Sequence, residues 1–542
     1  MELEKEKNKD SMKMSLAEIE SKARKIKLGG GKNRLDKLRS QGKLSARERV
    51  KNLVDDPNTI YEIGILAGEG MYKEYGGCPS AGVIVVIGKV SGRYCVIVAN
   101  DPSVKAGAWF PMTTKKNLRA QELAIENRIP IIYLVDSAGI FLPLQEKLFA
   151  DKENFGRIFR NNAKMSSMGI VQIAAVMGSC VAGGAYLPIM SDEAIIVEKT
   201  GSIFLAGSYL VKAAIGENID NEYLGGADTH SGISGVTDYK LKDDKAALDK
   251  IRSIVDKIGS YPKAGFKRSE TKIPEIEKDK IYSILPKKST QPYNSYELID
   301  SLVDDNSIDE YKKEYGQTII TCYAKIDGWS IGIVANQRNI VKSKNGETQF
   351  GGVIYGDAAD KATRFIANCN QKNIPLVFLQ DVTGFMVGSK AEHSGIIKDG
   401  AKMVNAVANS VVPKFTIIIG NSFGAGNYAM CGKAFDPRLI VAWPTAKIAV
   451  MGGSQAAEVL LQIEKSSALK NGEQLDEKKE SLMKEKIKSK YDEKTDVVFA
   501  ASQLWVDAVI DPAETRSWIS MGIEIANQSP IDRKFNMGIL QV

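Results

Sequence analysis

The chain has 542 residues, 44% of them apolar and 26% charged, which fits a soluble globular protein of roughly two to four domains. Its net charge of +7 sits in one place: residues 1–51 hold 16 Lys or Arg against 8 Asp or Glu, a balance of +8, which leaves −1 for the rest. Acids interspersed with those bases, and no interleaved aromatics, argue against a nucleic-acid partner.

No apolar run reaches 18 residues, so no membrane span is expected. Met1–Asp10 resembles neither a signal nor a transit peptide, and a cytoplasmic location is the expectation. Six scattered cysteines without a C-x-x-C pair, and only two histidines, His230 and His393, predict reduced core thiols and no metal site.

In chain order, Leu and Ile recur at helical spacing over 16–26 and 35–53, so residues 1–60 read as a helical arm. The glycines at 29–31, with Lys32 after them, lack the spacing of a phosphate loop and read as a helix-breaking linker. Residues 61–280 alternate β-rich runs and helices: paired strands at 82–88 and 94–99, a helix at 115–127, and a strand at 193–197. Residues 281–300, within a Lys-, Pro- and Ser-rich stretch, read as a linker. The alternation restarts over 301–542, interrupted by a highly charged insertion at about 465–496 that predicts exposed helices. The fold class is α/β, with an internal duplication.

The duplication is explicit in two copies about 245 residues apart. The first has an apolar run from Ile129 to Asp136-Ser-Ala-Gly139, then a second run from Val171 to Cys180-Val-Ala-Gly-Gly-Ala-Tyr186. The second has Ile374 to Asp381-Val-Thr-Gly384, then Val412 to Ser422-Phe-Gly-Ala-Gly-Asn-Tyr428. Each reads as a buried strand ending in Asp-x-x-Gly, a helix, a second buried strand, and a small-residue turn opening another helix. Such a turn presents free backbone N–H groups and can hold an oxygen that is becoming negative. Gly183, Gly184, Ala425 and Gly426 are therefore the catalytic candidates. Glycines at such places also serve close packing; the matched duplicate favours function.

No nucleophile elbow, dinucleotide loop or zinc-protease motif occurs. Both histidines read as loop residues, and Asp136 and Asp381 as strand-end caps before acid–base groups. The chemistry then needs two oxyanion holes and a base brought by substrate or cofactor.

These motifs resemble the carboxyltransferase (β) subunits of biotin-dependent acyl-CoA carboxylases, from Gly42-Lys-Leu-Ser-Ala-Arg-Glu-Arg49 to the C-terminus. Lys115-Lys-Asn-Leu-Arg-Ala-Gln121, Ile203-Phe-Leu-Ala-Gly207, Gly384-Phe-Met-Val-Gly388 and Gly420–Tyr428 are most similar to the methylcrotonoyl-CoA branch. The resemblance implies two crotonase-like domains of the ClpP/crotonase superfamily. The acyl-CoA side would lie in the first and the biotin side in the second. It implies that Gly183 and Gly184 hold the thioester oxygen, and Ala425 and Gly426 the biotin ureido oxygen. Ala182, Ala185, Gly424, Asn427, Phe385, Lys116 and Arg119 are the expected cofactor contacts.

It further implies carboxybiotin on a separate biotin carboxylase/carrier (α) subunit, acyl-CoA as substrate, no metal, and a homo-oligomer, commonly a hexamer. The active site would form where the first domain of one subunit meets the second domain of another. The function implied is carboxylation of 3-methylcrotonoyl-CoA in leucine degradation. Geranoyl-, propionyl- or acetyl-CoA, or a glutaconyl-CoA-type decarboxylase running in reverse, stand as alternatives; a non-catalytic scaffold need not keep both turns. Phe423 stands where Tyr is common, Ser454 where Glu is, and Ala138 where Gly is, which leaves the acyl pocket open.

Overall fold

The computed structural model describes residues 2–343, 346–470 and 477–542, apart from the side chains of 468 and 469. It forms two compact units: residues 21–263 with 502–504, and residues 1–20, 264–501 and 505–542. Residues 21–60, expected in an arm, thus belong with the first unit, and the expected 281–300 linker packs within the second. There the first part of the long first helix, Glu2–Ile26, meets that stretch: Asn8 Nδ2 donates to the Ser283 carbonyl at 3.4 Å and Lys5 pairs with Glu297 at 3.2 Å.

The first unit is built on one sheet of β1 (Tyr61–Ile63), β2 (Val83–Val90), β3 (Arg93–Asn100), β4 (Ile131–Ser137), β5 (Gln172–Val181), β6 (Glu193–Val197), β7 (Ser202–Phe204) and β8 (Tyr239–Leu241). The order is β1-β2-β3-β4-β5-β6-β8, and β7 pairs with the end of β5. β1 to β3 are antiparallel; from β3 onward neighbours run parallel. The central strands are apolar on both faces because helices cover both. Helices Ala46–Leu53 and Asp244–Asp256 pack through Val50, Leu53, Leu248 and Ile251 on the face carrying Ile97, Ile132 and Ile173. On the other face Tyr133 meets Gln121 of helix Pro111–Asn127.

The second unit repeats this plan strand for strand. Its strands are β9 (Asp309–Glu310), β10 (Ile319–Ile326), β11 (Trp329–Asn336), β12 (Leu376–Val382), β13 (Lys414–Phe423), β14 (Leu439–Ala442), β15 (Lys447–Ala449) and β16 (Ala508–Val509). The order is β16-β14-β13-β12-β11-β10-β9, with β15 on the end of β13. Helices Gly356–Gln371 and Ile396–Ala408 cover one face through Ala362, Phe365, Met403 and Val407.

The duplication extends to details the motifs do not show. In each hairpin two left-handed residues make the turn, Ser91 and Gly92 in one and Asp327 and Gly328 in the other. Their N–H groups donate to both oxygens of one aspartate, Asp55 (2.9 and 2.7 Å) and Asp304 (3.0 and 2.8 Å). Each aspartate is paired in turn by an arginine near the unit's last helix, Arg252 and Arg516, both at 2.8 Å. Although burial works against it, the N–H groups and Arg252 hold Asp55 below the usual carboxylate range.

The charged insertion is a helical hairpin, Gly453–Lys470 against Glu477–Asp492, starting earlier than expected; residues 471–476 of the expected segment lie outside the described residues. No helix among the described residues is long and apolar enough to cross a membrane. Asp304→Ala strips a buried carboxylate from two turn N–H groups and Arg516. It should cost about 3 kcal/mol, read as a lowered urea midpoint, while the same change at exposed Asp36 leaves the midpoint in place.

Candidate functional site

Each Asp-x-x-Gly motif ends a central strand, and its aspartate is buried. Asp136 pairs with Lys43 at 2.6 Å and Arg49 at 3.1 Å; Arg49, wholly buried, also donates to Asp244 at 2.8 Å and to the Met177 carbonyl. Asp381 lies 3.2 Å from Arg338 Nε and accepts from Tyr293 at 3.1 Å and from the Asn421 N–H at 2.8 Å. The Arg338 contact is charge proximity, because that N–H has no aligned acceptor. Burial pushes Asp381 above its ordinary value against the pull of Arg338. The backbone N–H of each aspartate donates to an asparagine ending the preceding strand, Asn100 at 3.4 Å and Asn336 at 3.1 Å. Both carboxylates thus act within the frame, as ion-paired braces, rather than facing a substrate.

Opposite each carboxylate the next strand carries a glycine. A methyl on Gly178 would fall 1.9 Å from Asp136 Oδ1, and one on Gly420 would fall 2.5 Å from Asp381 Cγ. Beyond these glycines the strands end in turns of one geometry. Val181 (φ −118°, ψ 146°) corresponds to Phe423 (φ −114°, ψ 140°). Ala182 and Gly424 follow, both at φ +55°. Gly183 then matches Ala425, and Gly184 matches Gly426. The third residue of each turn lies against the Asp-x-x-Gly glycine: a Cβ on Gly184 would sit 3.8 Å from Gly139 Cα, and one on Gly426 would sit 3.3 Å from Gly384 Cα. Tyr186 and Tyr428, next in line, are both half-exposed at 49%.

In both turns the N–H groups of the second and third residues fall at a helix start, where no intrahelical acceptor exists. In the first these belong to Gly183 and Gly184, within the short turn Ala182–Ala185. In the second they belong to Ala425 and Gly426, within Gly424–Ala429. Gly183 has its own reason to be glycine, since a Cβ there would meet Phe155 at 2.8 Å. Ala182 and Ala425 are exposed at the turn surface, and Ala185 is buried beneath it. Each turn can thus offer two converging N–H groups to one oxygen.

Several expected contacts stand elsewhere. Lys116 is fully buried, and its ammonium donates to Ser80 O (3.0 Å), Ser80 Oγ (2.8 Å) and Val83 O (2.7 Å). With its donors facing inward it does not meet a CoA phosphate; the helix turns this face to the sheet. Arg119 is buried beside Glu122 at 2.6 Å. Asn427 turns its amide inward to Ser422 Oγ at 2.7 Å. Phe385 is half-buried, its ring over Gly400, and forms a two-residue parallel pairing with Ile354. His230 is held between the Ile203 carbonyl (2.6 Å) and Ser234 Oγ (2.8 Å), and His393 lies in the short helix Ser389–Ser394. The six cysteines are buried free thiols; Cys180 Sγ donates to the Gly184 carbonyl at 3.2 Å, under the first turn.

Beside the second turn is a cavity of about 330 Å³ lined by Gly424, Asn427, Tyr428, Ala449, Val450 and Trp505. A larger one of about 640 Å³ is lined by Phe423, Thr383, Gly452, Ser454, Gln455 and Lys488. Two positions at which the sequence departs from the family pattern, Phe423 and Ser454, thus share one cavity.

The carboxyl transferase domain model matches residues 37–537. The chain belongs to the carboxyl transferase family. It is 44% identical over 97% of its length to the biotin-dependent 3-methylcrotonyl-coenzyme A carboxylase beta1 subunit of Mycobacterium tuberculosis, covering 96% of that protein. It is 46% identical over 96% of its length to the mitochondrial methylcrotonoyl-CoA carboxylase beta chain of Dictyostelium discoideum, covering 86% of it. Among solved structures, the beta subunit of Pseudomonas aeruginosa geranyl-CoA carboxylase matches with a TM-score of 0.86 and 31% identity, covering 99% of this chain and 98% of that one. The two crotonase-like halves expected of such a carboxyltransferase are the two sheets described above.

Sequence reasoning missed the asparagine, arginine and glycine that hold each aspartate. The glycines were visible, at matching places in Met177-Gly178-Ser179 and Ile419-Gly420-Asn421. Gly178→Ala and Gly420→Ala should each destabilise their unit by about 3 kcal/mol or more, since a buried ion pair must move. Gly184→Ala, with ordinary contact distance around its new methyl, should keep the parental melting temperature within a few degrees.

Burial pushes the Lys116 amine down to about 7. Between that value and its ordinary 10.5 the unfolded chain binds more protons, so this group makes stability rise with pH over that window. The melting-temperature difference between the parent and Lys116→Met should therefore shift in the parent's favour from pH 7 to pH 9.

Proposed function

We propose that this chain is the carboxyltransferase (β) subunit of a biotin-dependent acyl-CoA carboxylase, and that 3-methylcrotonoyl-CoA is its substrate. The carrying observation is the pair of turns with one backbone geometry in a duplicated frame whose aspartates and His230 are engaged in holding it. Near-full-length identity to the two methylcrotonoyl-CoA carboxylase β relatives supports the substrate. The geranyl-CoA carboxylase β subunit, at 31% identity, marks the branched relative against which specificity is to be measured.

Carboxybiotin, bound from a separate carrier subunit, supplies the carboxyl group and a base. The N–H groups of Gly183 and Gly184 take the thioester oxygen as it becomes an enolate. Those of Ala425 and Gly426 take the ureido oxygen, with the cavity along Ala449, Val450 and Trp505 beside it. Fixed backbone dipoles stabilise charge without reorganising, so no side-chain acid is required at either turn.

The partner is a biotin carboxylase/carrier (α) subunit, and the chain works as a homo-oligomer, a hexamer, with first- and second-half turns meeting across subunits. Exposed apolar side chains on the connection after each turn favour such assembly: Leu205, Tyr209, Leu210 and Tyr223 in one unit, Val450, Val459, Leu460 and Ile463 in the other. The free buried thiols suit a reducing compartment such as the cytoplasm.

With carboxybiotin carrier as donor, transfer should be fastest to 3-methylcrotonoyl-CoA and slower to geranoyl-, propionyl-, acetyl- and glutaconyl-CoA. Transfer to none of them would refute the reading. Ala425→Val, at an exposed side chain, should leave the oligomer intact by light scattering and lower kcat, because the added methyl groups crowd the oxygen away from the turn's N–H pair while the donors themselves remain.

A further inference from the structure

The two turns share a backbone but not the side chains beneath it. Under the first stand Val135, Cys180 and Ala185; at the corresponding positions under the second stand Gln380, Ser422 and Asn427. All three changes run from apolar or weakly polar to strongly polar, and the three polar groups bond to one another. Asn427 Nδ2 donates to Ser422 Oγ at 2.7 Å, and Ser422 Oγ donates to Gln380 Oε1 at 2.6 Å. Gln380 Nε2 then donates to the Met430 carbonyl at 2.6 Å, with the Asn427 carbonyl at 3.4 Å. The relay therefore closes on the helix it started from.

Its members are deep. Gln380 and Ser422 have no exposed surface, and the neighbouring strands β12 and β13 carry them behind the turn, on either side of the shift in pairing register. Burying amides and a hydroxyl is unfavourable unless each finds its partner. The first turn shows that the same backbone forms without them, with the Cys180 thiol on the Gly184 carbonyl and Asn162 Nδ2 on the Leu187 carbonyl of the helix that follows. The fold alone does not call for the relay. What the relay adds is rigidity: it fixes the middle and end of helix Gly424–Ala429 to two central strands, and so fixes the direction of the Ala425 and Gly426 N–H groups. Gly432 completes the arrangement, because a Cβ there would fall 1.9 Å from Asn427 Oδ1 and drive the amide off Ser422.

We propose that Gln380, Ser422 and Asn427 are positioning residues that hold the second turn's N–H pair in line for the ureido oxygen of biotin. Asn427 is thus reassigned from cofactor contact to support. The inference rests on the proposed function and deepens it: the biotin-side hole is held rigid by a hydrogen-bond relay of three side chains that the acyl-CoA-side hole lacks. Donors that must meet charge at the moment it develops gain most from being fixed beforehand.

The test uses the intact homo-oligomer and free biotin as acceptor, with the carboxylated methylcrotonoyl-CoA as donor. In that reaction the carbon–carbon bond to the carboxyl breaks and a nitrogen–carbon bond to biotin forms. The displaced ureido proton ends on the acyl-CoA carbon. The informative variant carries the first turn's residues, Gln380→Val, Ser422→Cys and Asn427→Ala together. Asn427→Ala alone, at a partly exposed residue, serves if the triple variant does not fold, and Ser422→Thr restores the hydroxyl.

We expect kcat/KM for biotin to fall at least tenfold in the first two, the KM for the acyl-CoA to stay within twofold, and Ser422→Thr to keep most of the parental value. Parental kcat/KM for biotin in a folded variant, or a loss that falls on the acyl-CoA constants, would overturn the inference. Failure of the parent to transfer to biotin at all would instead sink the proposed function.

Discussion

A buried carboxylate resting on a glycine sets the geometry of each half. Asp136 over Gly178, and Asp381 over Gly420, lock neighbouring parallel strands four residues before the turns that begin at Ala182 and Gly424. The pairing register shifts at these same places, between Val135 and Ser137 and between Gln380 and Val382. A carboxylate there must be neutralised, and each half does so differently. Arg49 comes from the helix before the first sheet, whereas Arg338 comes from two residues after Asn336. Different sources for one charge say that the carboxylate is the fixed requirement and the cation the variable answer. A buried charge without its partner is costly enough to prevent folding of the unit.

The central strands, the Asp-x-x-Gly ends and the turns were legible because apolar runs and small residues repeat at matched spacing. The hairpin clamps were legible only in a short repeat: Asp55 and Asp304 lie far in sequence from the turns they hold, but each is the third residue of a Leu-Val-Asp-Asp, at 53–56 and 302–305. The break in the expected helix over 35–53 was legible in principle. Ser45 and Glu48 form a reciprocal capping box that starts the helix Ala46–Leu53.

Lys116 misled because its type speaks of surface and phosphate, while its helical position turns it onto Ser80 and Val83. Asn427 misled in the opposite way, being near the chemistry yet spent on Ser422. Residue type told little in these two cases; the face of the element decided.

The duplicated frame gives two turns of one backbone geometry for one set of packing rules, and the side chains beneath them diverge. Ala182 and Gly424 illustrate the limits of that freedom. Both sit at φ +55°, where alanine is strained, so the first turn keeps a conformation that only its neighbours enforce. After each turn the connections diverge most, as the short helices Ser208–Ile215 and Asn221–Gly225 in one unit and the helices Gly453–Lys470 and Glu477–Asp492 in the other.

The division of labour between the turns is tested most directly by a crystal structure of the oligomer with acyl-CoA and biotin bound. The account predicts the thioester oxygen about 3 Å from the backbone nitrogens of Gly183 and Gly184, and the ureido oxygen about 3 Å from those of Ala425 and Gly426. Oxygens held by side chains, or found at the opposite turns, would contradict it.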